Sequence, residues 1–450
     1  MLGLALAPVL LASNITRADA SRCPMVPPGS LQLKSAIGRA LCLDPNIEQS
    51  RAIVARAEAV MQEQQAANRP TLQAVVPASA NAQREDGRST NTTSVSASLN
   101  LQYLWLDGGA RRERLNQRTQ ELEAAKQDLT AQTQTVVLDF VTLWADALDA
   151  LSAAEAANTA LASAKASLAS AQGRLQAGTG TRVDVLSAQS AAAQADRDLL
   201  VGQISARQKL RTLAQRLELD VQTLAVLEPA TQTSLISAWA GTGANDALAN
   251  HPQLSAQQQR VTAAQAAYEA TKAEGGSTVN ISAQAGPSWS RGNAATPTTV
   301  TTNRLSSEVG LTLTVPLSDG GARKARAGQA KAMVDGERAL LASVQRQLSE
   351  TLGSGRSDWD SARADLDSSK VALEAAVLAE QAQRARFEVG LGTINELLTA
   401  QSDVATRTRQ LSTAQQKLLR TAARLAQARG VLHESFIATS ALPAVPAPHR

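Results

Sequence analysis

The sequence predicts a mixed, mainly α fold: a duplicated helical hairpin of coiled-coil character, carrying four β-strands per chain. Three observations point to it. Apolar residues recur every seven positions through two long runs without proline; two stretches of period two precede a Gly-Gly turn in each half; and both landmarks repeat at one offset. Composition agrees. The 450 residues hold 5 Trp, 3 Phe and 2 Tyr, too few aromatics for a set of thick globular cores. Alanine fills roughly a fifth of the chain, well above its usual share, which favours helices packed closely on one another. With 44 Lys+Arg against 40 Asp+Glu, no basic patch argues for nucleic acid. Three His and 2 Cys leave little for a metal or nucleophile site, and His251, His433 and His449 lie far apart in sequence. No catalytic residue, metal-ligand set or cofactor is predicted, so an enzyme is the least supported class.

Residues 1–20 read as a signal peptide. Leu2–Ala12 is an apolar run too short to span a bilayer, and Ala18-Asp19-Ala20 is a small-x-small cleavage pattern. No Lys or Arg precedes the run, so translation is expected to start upstream of Met1; an ordinary N-terminal helix is the competing reading. Cys23 and Cys42 follow the cut. In an oxidising compartment they form a candidate disulfide closing a loop of ~20 residues, the alternative being two free thiols.

The duplication is explicit. Asp107-Gly108-Gly109-Ala110-Arg111 recurs as Asp319-Gly320-Gly321-Ala322-Arg323, and Arg174-Leu175-Gln176-Ala177-Gly178-Thr179-Gly180-Thr181 as Arg386-Phe387-Glu388-Val389-Gly390-Leu391-Gly392-Thr393. Both pairs share an offset of 212 residues, and a weaker match of Asp44-Pro45 to His251-Pro252 has an offset of 207. Two copies are too few for a solenoid. The expected plan is a first repeat over 21–219, an inter-repeat segment 220–250, a second repeat over 251–432 and a tail 433–450.

Leu115, Leu122, Leu129, Val136 and Leu143 form one seven-residue stripe. Leu352, Trp359, Leu366 and Leu373 form another, and Leu397, Val404, Leu411, Leu418, Leu425 and Leu432 the cleanest. A strict seven-residue period means left-handed supercoiling. Helices over 108–173 and 321–389 would each extend ~100 Å at 1.5 Å per residue. Asp107 and Asp319 suit the N-cap and the glycine pairs a sharp turn. The tips 174–181 and 386–393 break each long helix before helices 182–219 and 394–432. The basic clusters Arg111, Arg112, Arg114 and Arg323, Lys324, Arg326 read as solvated helix starts or contacts to acidic lipid head groups.

Ahead of each Gly-Gly turn the period becomes two. Leu72, Ala74, Val76, Ala78 and Ala80 alternate with polar neighbours, as do Val95, Ala97, Leu99, Leu101, Tyr103 and Trp105. In the second half Val279, Ile281, Ala283, Ala285 and Trp289, then Val309, Leu311, Leu313, Val315 and Leu317, repeat the pattern. These hairpins, at about 71–105 and 278–317, are joined by polar loops at Arg84–Thr93 and Arg291–Arg304. They match membrane β-strands, apolar toward lipid and polar toward a lumen; ordinary surface hairpins are the alternative. Four strands cannot close a barrel and an open edge is not viable in lipid, so several chains would pool their strands and their helices.

The chain resembles the TolC family of outer-membrane channels over nearly its whole mature length. The resemblance rests on the duplicated plan, the opening Leu31, Leu33, Ala36, Ile37, Ala40, Leu41 and Pro45, the strand-Asp-Gly-Gly-Arg turn, and the tip motif Arg174 to Gln189 with its copy Arg386 to Gln401. It implies a homotrimer, with a 12-stranded β-barrel in the Gram-negative outer membrane continued by an α-helical tunnel through the periplasm. It also implies a periplasmic adaptor and an inner-membrane ABC transporter as partners, outer-membrane lipid around the barrel, and a secreted protein as cargo. Type I secretion members are similar in alanine content and in lacking a lipid-anchor cysteine; a drug-efflux channel would share the architecture. An exported coiled-coil protein without a pore explains the heptads but not the paired hairpins.

By the resemblance, Asp184 and Glu396 line a closed periplasmic entrance, where three-fold symmetry would make rings of like charge. Thr399 stands where the family often has a further acid, which weakens a tight cation-selective gate. Simple placement at helix N-termini also accounts for both carboxylates. Adaptor docking falls to Arg174, Leu175, Gly178, Gly180 and Thr181, with Arg386, Phe387, Gly390, Gly392 and Thr393. Hairpin-turn chemistry explains the glycines equally well.

Overall fold

A computed structural model describes residue 23 and residues 31–85, 88–221, 232–241, 250–293 and 299–432. The signal segment, the tail 433–450 with His433 and His449, and most of 220–250 lie outside the described residues. The chain divides into two units, and each draws on both halves of the sequence. A helical unit takes Met1–Gln49, Thr130–His251 and Gln347–Arg450; a sheet-bearing unit takes Ser50–Leu129 and Pro252–Arg346.

The sheet-bearing unit contains most of α2 (Pro45–Ala66), strands β1 (Thr71–Val75), β2 (Ala78–Glu85), β3 (Arg88–Ser96) and β4 (Ser98–Leu106), the start of α3 (Ala110–Gln176), α6 (Pro252–Ala273), β5 (Thr278–Asn293), β6 (Thr299–Thr314) and the start of α7 (Ala322–Glu388). β1 and β2 act as one strand interrupted at Val76-Pro77, and β3 and β4 as one interrupted at Ala97, because the pairing register runs unbroken across both gaps. β3 and β4 both pair with β5, and β5 pairs with β6, all antiparallel. The outer edges of β1/β2 and of β6 pair with nothing among the described residues.

One face collects the apolar rows Leu72–Leu101–Ala283–Val309 and Ala74–Leu99–Ala285, with Ile281–Leu311 and Val279–Leu313 nearer the helices. The other carries Asn100, Gln102, Asn280, Ser282 and Gln284. Gly286 is needed where it stands: a Cβ there would lie 1.9 Å from the Ala97 carbonyl oxygen.

The strands depart from expectation at three places. The segments Arg84–Thr93 and Arg291–Arg304, expected as loops, are mostly strand. Their Ser, Thr and Asn residues are polar on both faces, so alternation gives no signal, yet threonine suits the extended backbone. β6 ends at Thr314 rather than reaching Leu317, because Pro316 removes a ladder donor and constrains its neighbour. A register shift between Leu104 and Leu106 sets Leu106, not Trp105, opposite Val279.

The helical unit is built on the remainders of α3 and α7, each 67 residues long overall, with α4 (Arg182–Leu217), α8 (Ile394–Ala428), α1 (Leu33–Leu43) and α5 (Gln232–Ala240). Val136, Val137, Phe140, Val141 and Trp144 of α3 are buried, as are Leu419, Ala422, Ala423 and Ala426 of α8. On α7 the expected stripe Leu352, Trp359, Leu366, Leu373 is only half-buried. The buried seam runs on the same period through Leu348 and then the small residues Gly355, Ala362 and Ala376. Small residues bring backbones close: a Cβ on Gly202 of α4 would lie 3.2 Å from Ala154 Cα of α3. Ion pairs link Lys209 and Arg420 to Asp146 at 2.9 and 2.8 Å, tying α4 and α8 to α3.

α1 supplies most of the opening motif, with Leu31 just ahead of it and Pro45 starting α2. Leu31, Leu33, Ala36, Ile37 and Ala40 are all buried. Arg39 Nε donates to the Leu217 carbonyl at the end of α4 (2.7 Å), and Arg216 pairs with the buried carboxylate of Asp44 at 2.5 Å. The Sγ atoms of Cys23 and Cys42 are bonded, with Cα atoms 5.8 Å apart.

Candidate functional site

The helix tips are two copies of one device. α3 and α7 continue to Gln176 and Glu388, so Arg174, Leu175, Arg386 and Phe387 belong to the last helical turn rather than to a loop. Gly178 (φ 75°) and Gly390 (φ 80°) take the left-handed conformation that ends a helix at small cost only for glycine. The amides of Thr179 and Gly180 then donate to the Arg174 carbonyl at 2.9 and 3.0 Å; those of Leu391 and Gly392 donate to Arg386 at 2.8 and 3.0 Å. Gly180 and Gly392 are tight for another reason: a Cβ would meet Arg174 Cβ at 3.0 Å or Arg386 Cβ at 3.2 Å.

Thr181 and Thr393 start α4 and α8 as N-caps. The Asp184 amide donates to Thr181 Oγ1 (3.2 Å), while the Thr181 amide donates back to Asp184 Oδ2 (3.0 Å). Glu396 and Thr393 exchange the same bonds at 3.3 and 3.1 Å. Both candidate gate carboxylates therefore complete capping boxes, each satisfying a backbone donor at a helix start.

The two tips are joined to each other. The Arg174 guanidinium lies over the Phe387 ring, 4.7 Å from its centre, and donates to the Phe387 carbonyl. Phe387 packs in a cluster with Ala171, Ala188, Ile394 and Leu397 and is 4% exposed. Its counterpart Leu175 is 40% exposed. Equivalent positions in the two copies thus play different parts, and Phe387 fills the core of the tip. Val183, Leu186, Val389 and Leu391 are exposed apolar residues at the same end, which the motif reading missed. Val183, Val389 and Leu391 fall between the motif's fixed positions and Leu186 occupies one, but only the distribution of burial marks the four as an exposed set.

The strand-to-helix turns are also duplicated. Asp107 accepts the amides of Gly109 (3.2 Å) and Arg111 (2.8 Å) and pairs with Arg111 Nε (2.9 Å). Asp319 repeats this with Gly321, Arg323 and Arg323 Nε at 3.1, 2.8 and 3.1 Å. The glycines that allow it are Gly108, Gly109, Gly320 and Gly321, all with φ between 65° and 92°. Burial pushes the Asp107 carboxyl up, but its bonds from Arg111 and Gly109 outweigh that and hold it below the ordinary value; for Asp319 the Arg323 amide leads the lowering. Arg111 reaches on to the carbonyls of Ala67 (3.2 Å) and Trp105 (3.4 Å), and Arg323 to that of Gly275. These two arginines fasten the turns instead of standing free in solvent.

No group of three or more His, Cys, Asp or Glu that could hold a metal occurs among the described residues, and no described helix is long and apolar enough to cross a membrane. The outer membrane efflux protein family model matches residues 36–217 and again 243–431. The chain belongs to the outer membrane efflux protein family. Protein CyaE of Bordetella pertussis (strain Tohama I) is 30% identical over 437 residues, covering 93% of this chain and 89% of CyaE. Among solved structures, CusC superposes with a TM-score of 0.77 at 16% identity, covering 89% of this chain and 92% of that one. The Vibrio cholerae outer membrane protein VceC gives 0.73 at 19% identity, covering 88% and 96%. This outer membrane efflux protein is accordingly a channel of the Gram-negative outer membrane and not an enzyme. It has the fold of the tripartite-system channels, in which an outer-membrane component works with an adaptor and an inner-membrane transporter.

Proposed function

We propose that three copies of this chain assemble into one channel, pooling their strands as a 12-stranded barrel. The channel passively conducts a secreted polypeptide from an inner-membrane ABC transporter and its periplasmic adaptor to the exterior, as in type I secretion. The observation that carries this is the 30% identity to CyaE across 93% of the chain, well above the 16–19% to the solved CusC and VceC channels. The outer edges of β1/β2 and β6, unpaired among the described residues, support pooled strands, because neither edge is tolerable in lipid alone. Deletion of the gene should remove one protein from the culture medium and leave drug susceptibility unchanged. Intact secretion with hypersensitivity to drugs would instead establish the second reading, an efflux-pump component, which the fold likeness to VceC and CusC favours.

The adaptor docks at the tips. Exposed Leu175, Val183, Leu186, Val389 and Leu391 supply the apolar contact, and Gly178 and Gly390 allow close backbone approach. Asp184 and Glu396 add negative charge at the same end and hold the entrance shut when three copies meet. Because both acids also cap helices, the informative variants are Asp184→Asn and Glu396→Gln, which remove charge but keep an acceptor. The double variant should show raised single-channel conductance; unchanged conductance would end the gate assignment.

A further inference from the structure

The apolar face of the sheet stops abruptly. On β5 it runs from Val279 to Trp289, ten residue steps or ~34 Å of strand, which at a tilt of ~40° spans ~26 Å of height, the thickness of a barrel's apolar band. Its last row is Ala78–Val95–Trp289–Asn303. The next row on that same face is Ala80–Thr93–Arg291–Thr301. Thr93, Arg291 and Thr301 are all exposed, and Arg291 has no ion pair among the described residues. Just below the arginine, the sheet holds a pit of about 410 Å³ whose lining includes Val95, Pro287, Trp289 and Leu305. Pro287 helps to make it, where the neighbouring strand is interrupted at Ala97.

An arginine flanked by two hydroxyls, directly above an aromatic and an aliphatic pit, matches an amphiphile with a phosphate at its head. Guanidinium binds phosphate through paired charge-assisted bonds, and threonine hydroxyls add donors on either side. The tryptophan row marks the membrane interface, so the phosphate sits at head-group height. We propose that Thr93, Arg291 and Thr301 bind the phosphate of a phosphorylated glycolipid in the outer leaflet, with part of its apolar body in the pit over Pro287. This rests on the sheet being the membrane wall of the channel.

The test uses the full-length assembly, first shown to conduct in planar bilayers of zwitterionic lipid. Binding of diphosphoryl lipid A and of the same lipid enzymatically stripped of phosphate is then measured in neutral detergent. Wild-type protein and Arg291→Lys should prefer the phosphorylated form. Arg291→Glu should bind it about tenfold more weakly, the worth of one charge-assisted contact, with no change toward the stripped form. Arg356→Gln, in α7 of the helical unit, should behave as wild type. If Arg291→Glu does not assemble, Arg291→Gln with Thr93→Val and Thr301→Val gives the same readout. Equal binding of both lipid forms by a conducting wild-type channel would overturn the site, as would displacement of the lipid by millimolar inorganic phosphate. A chain that never conducts would remove the membrane wall itself, a distinct failure.

Discussion

Arg174 carries the junction between the two tips through one ring contact and one hydrogen bond to a carbonyl. Replacing it with alanine should destabilise that end by about 1–3 kcal/mol, and Phe387→Ala, which empties a packed site, by about 3–5 kcal/mol. Hydrogen exchange read by mass spectrometry should quicken over 386–398 in both variants while the strands keep their protection. Acid should act through other single residues. Burial lowers the pKa of His251 from its ordinary 6.5, against the opposing effect of its bond to the Gln427 carbonyl. Above 6.5 the ring is neutral folded and unfolded; as pH falls below it the unfolded chain takes the proton first, so stability declines until the folded pKa is reached. Asp107 and Asp319 have lowered values, so their stabilisation is whole above their ordinary 3.8 and is lost as pH falls through the folded pKa. Denaturation midpoints between pH 7.5 and 5 should therefore fall in wild type and fall less in His251→Asn. At this scale the sequence reveals residues whose partners are near in the chain. Thr181 with Asp184 and Asp107 with Gly109 are legible from spacing. The roles of Arg111 and Arg174 are not, because their partners Ala67 and Phe387 are distant in sequence and one of them offers only a carbonyl.

Helix packing is where period and composition have to be read together. The leucine heptads of α8 are visible, but half of that stripe stays partly exposed, while the buried seam of α7 beyond Leu348 is made of Gly355, Ala362 and Ala376, whose small side chains give a weak hydropathy signal. Close packing of small residues can be tested by enlarging them. A Cβ on Gly355 would meet Leu425 at 3.7 Å, an ordinary contact, so Gly355→Ala should stabilise the helix by about 0.5–1 kcal/mol. Gly202 has no such room against Ala154 Cα, and Gly202→Leu should destabilise by about 1–3 kcal/mol. Opposite shifts in the thermal midpoint are the expected outcome; equal shifts would mean that α3 and α4 do not approach this closely. In the strands, Gly286→Val places atoms against the Ala97 backbone and should prevent the heat-modifiable trimer from forming on gels.

For the assembled molecule, what matters is which face of the sheet meets lipid. The sequence predicts that face from alternation alone, and the pairing register collects the same residues into continuous rows. Strand length is less legible, since the rows beyond Trp289 are mostly polar on both sides and only cross-strand pairing reveals them. Two arginine substitutions on adjacent strands separate lipid from lumen. Val309 lies opposite Ala283, near the middle of the apolar band, and is 80% exposed in the single chain. Val309→Arg there should cost about 2–4 kcal/mol per copy in the bilayer. Gln284 lies on the polar face, directly opposite Glu308, so Gln284→Arg gains a cross-strand partner of opposite charge and should be tolerated. In the proposed trimer three copies multiply the first penalty, so Val309→Arg should fail to insert into vesicles while Gln284→Arg inserts and conducts with altered ion selectivity. The reverse result would turn the sheet inside out, with the leucine rows facing the pore.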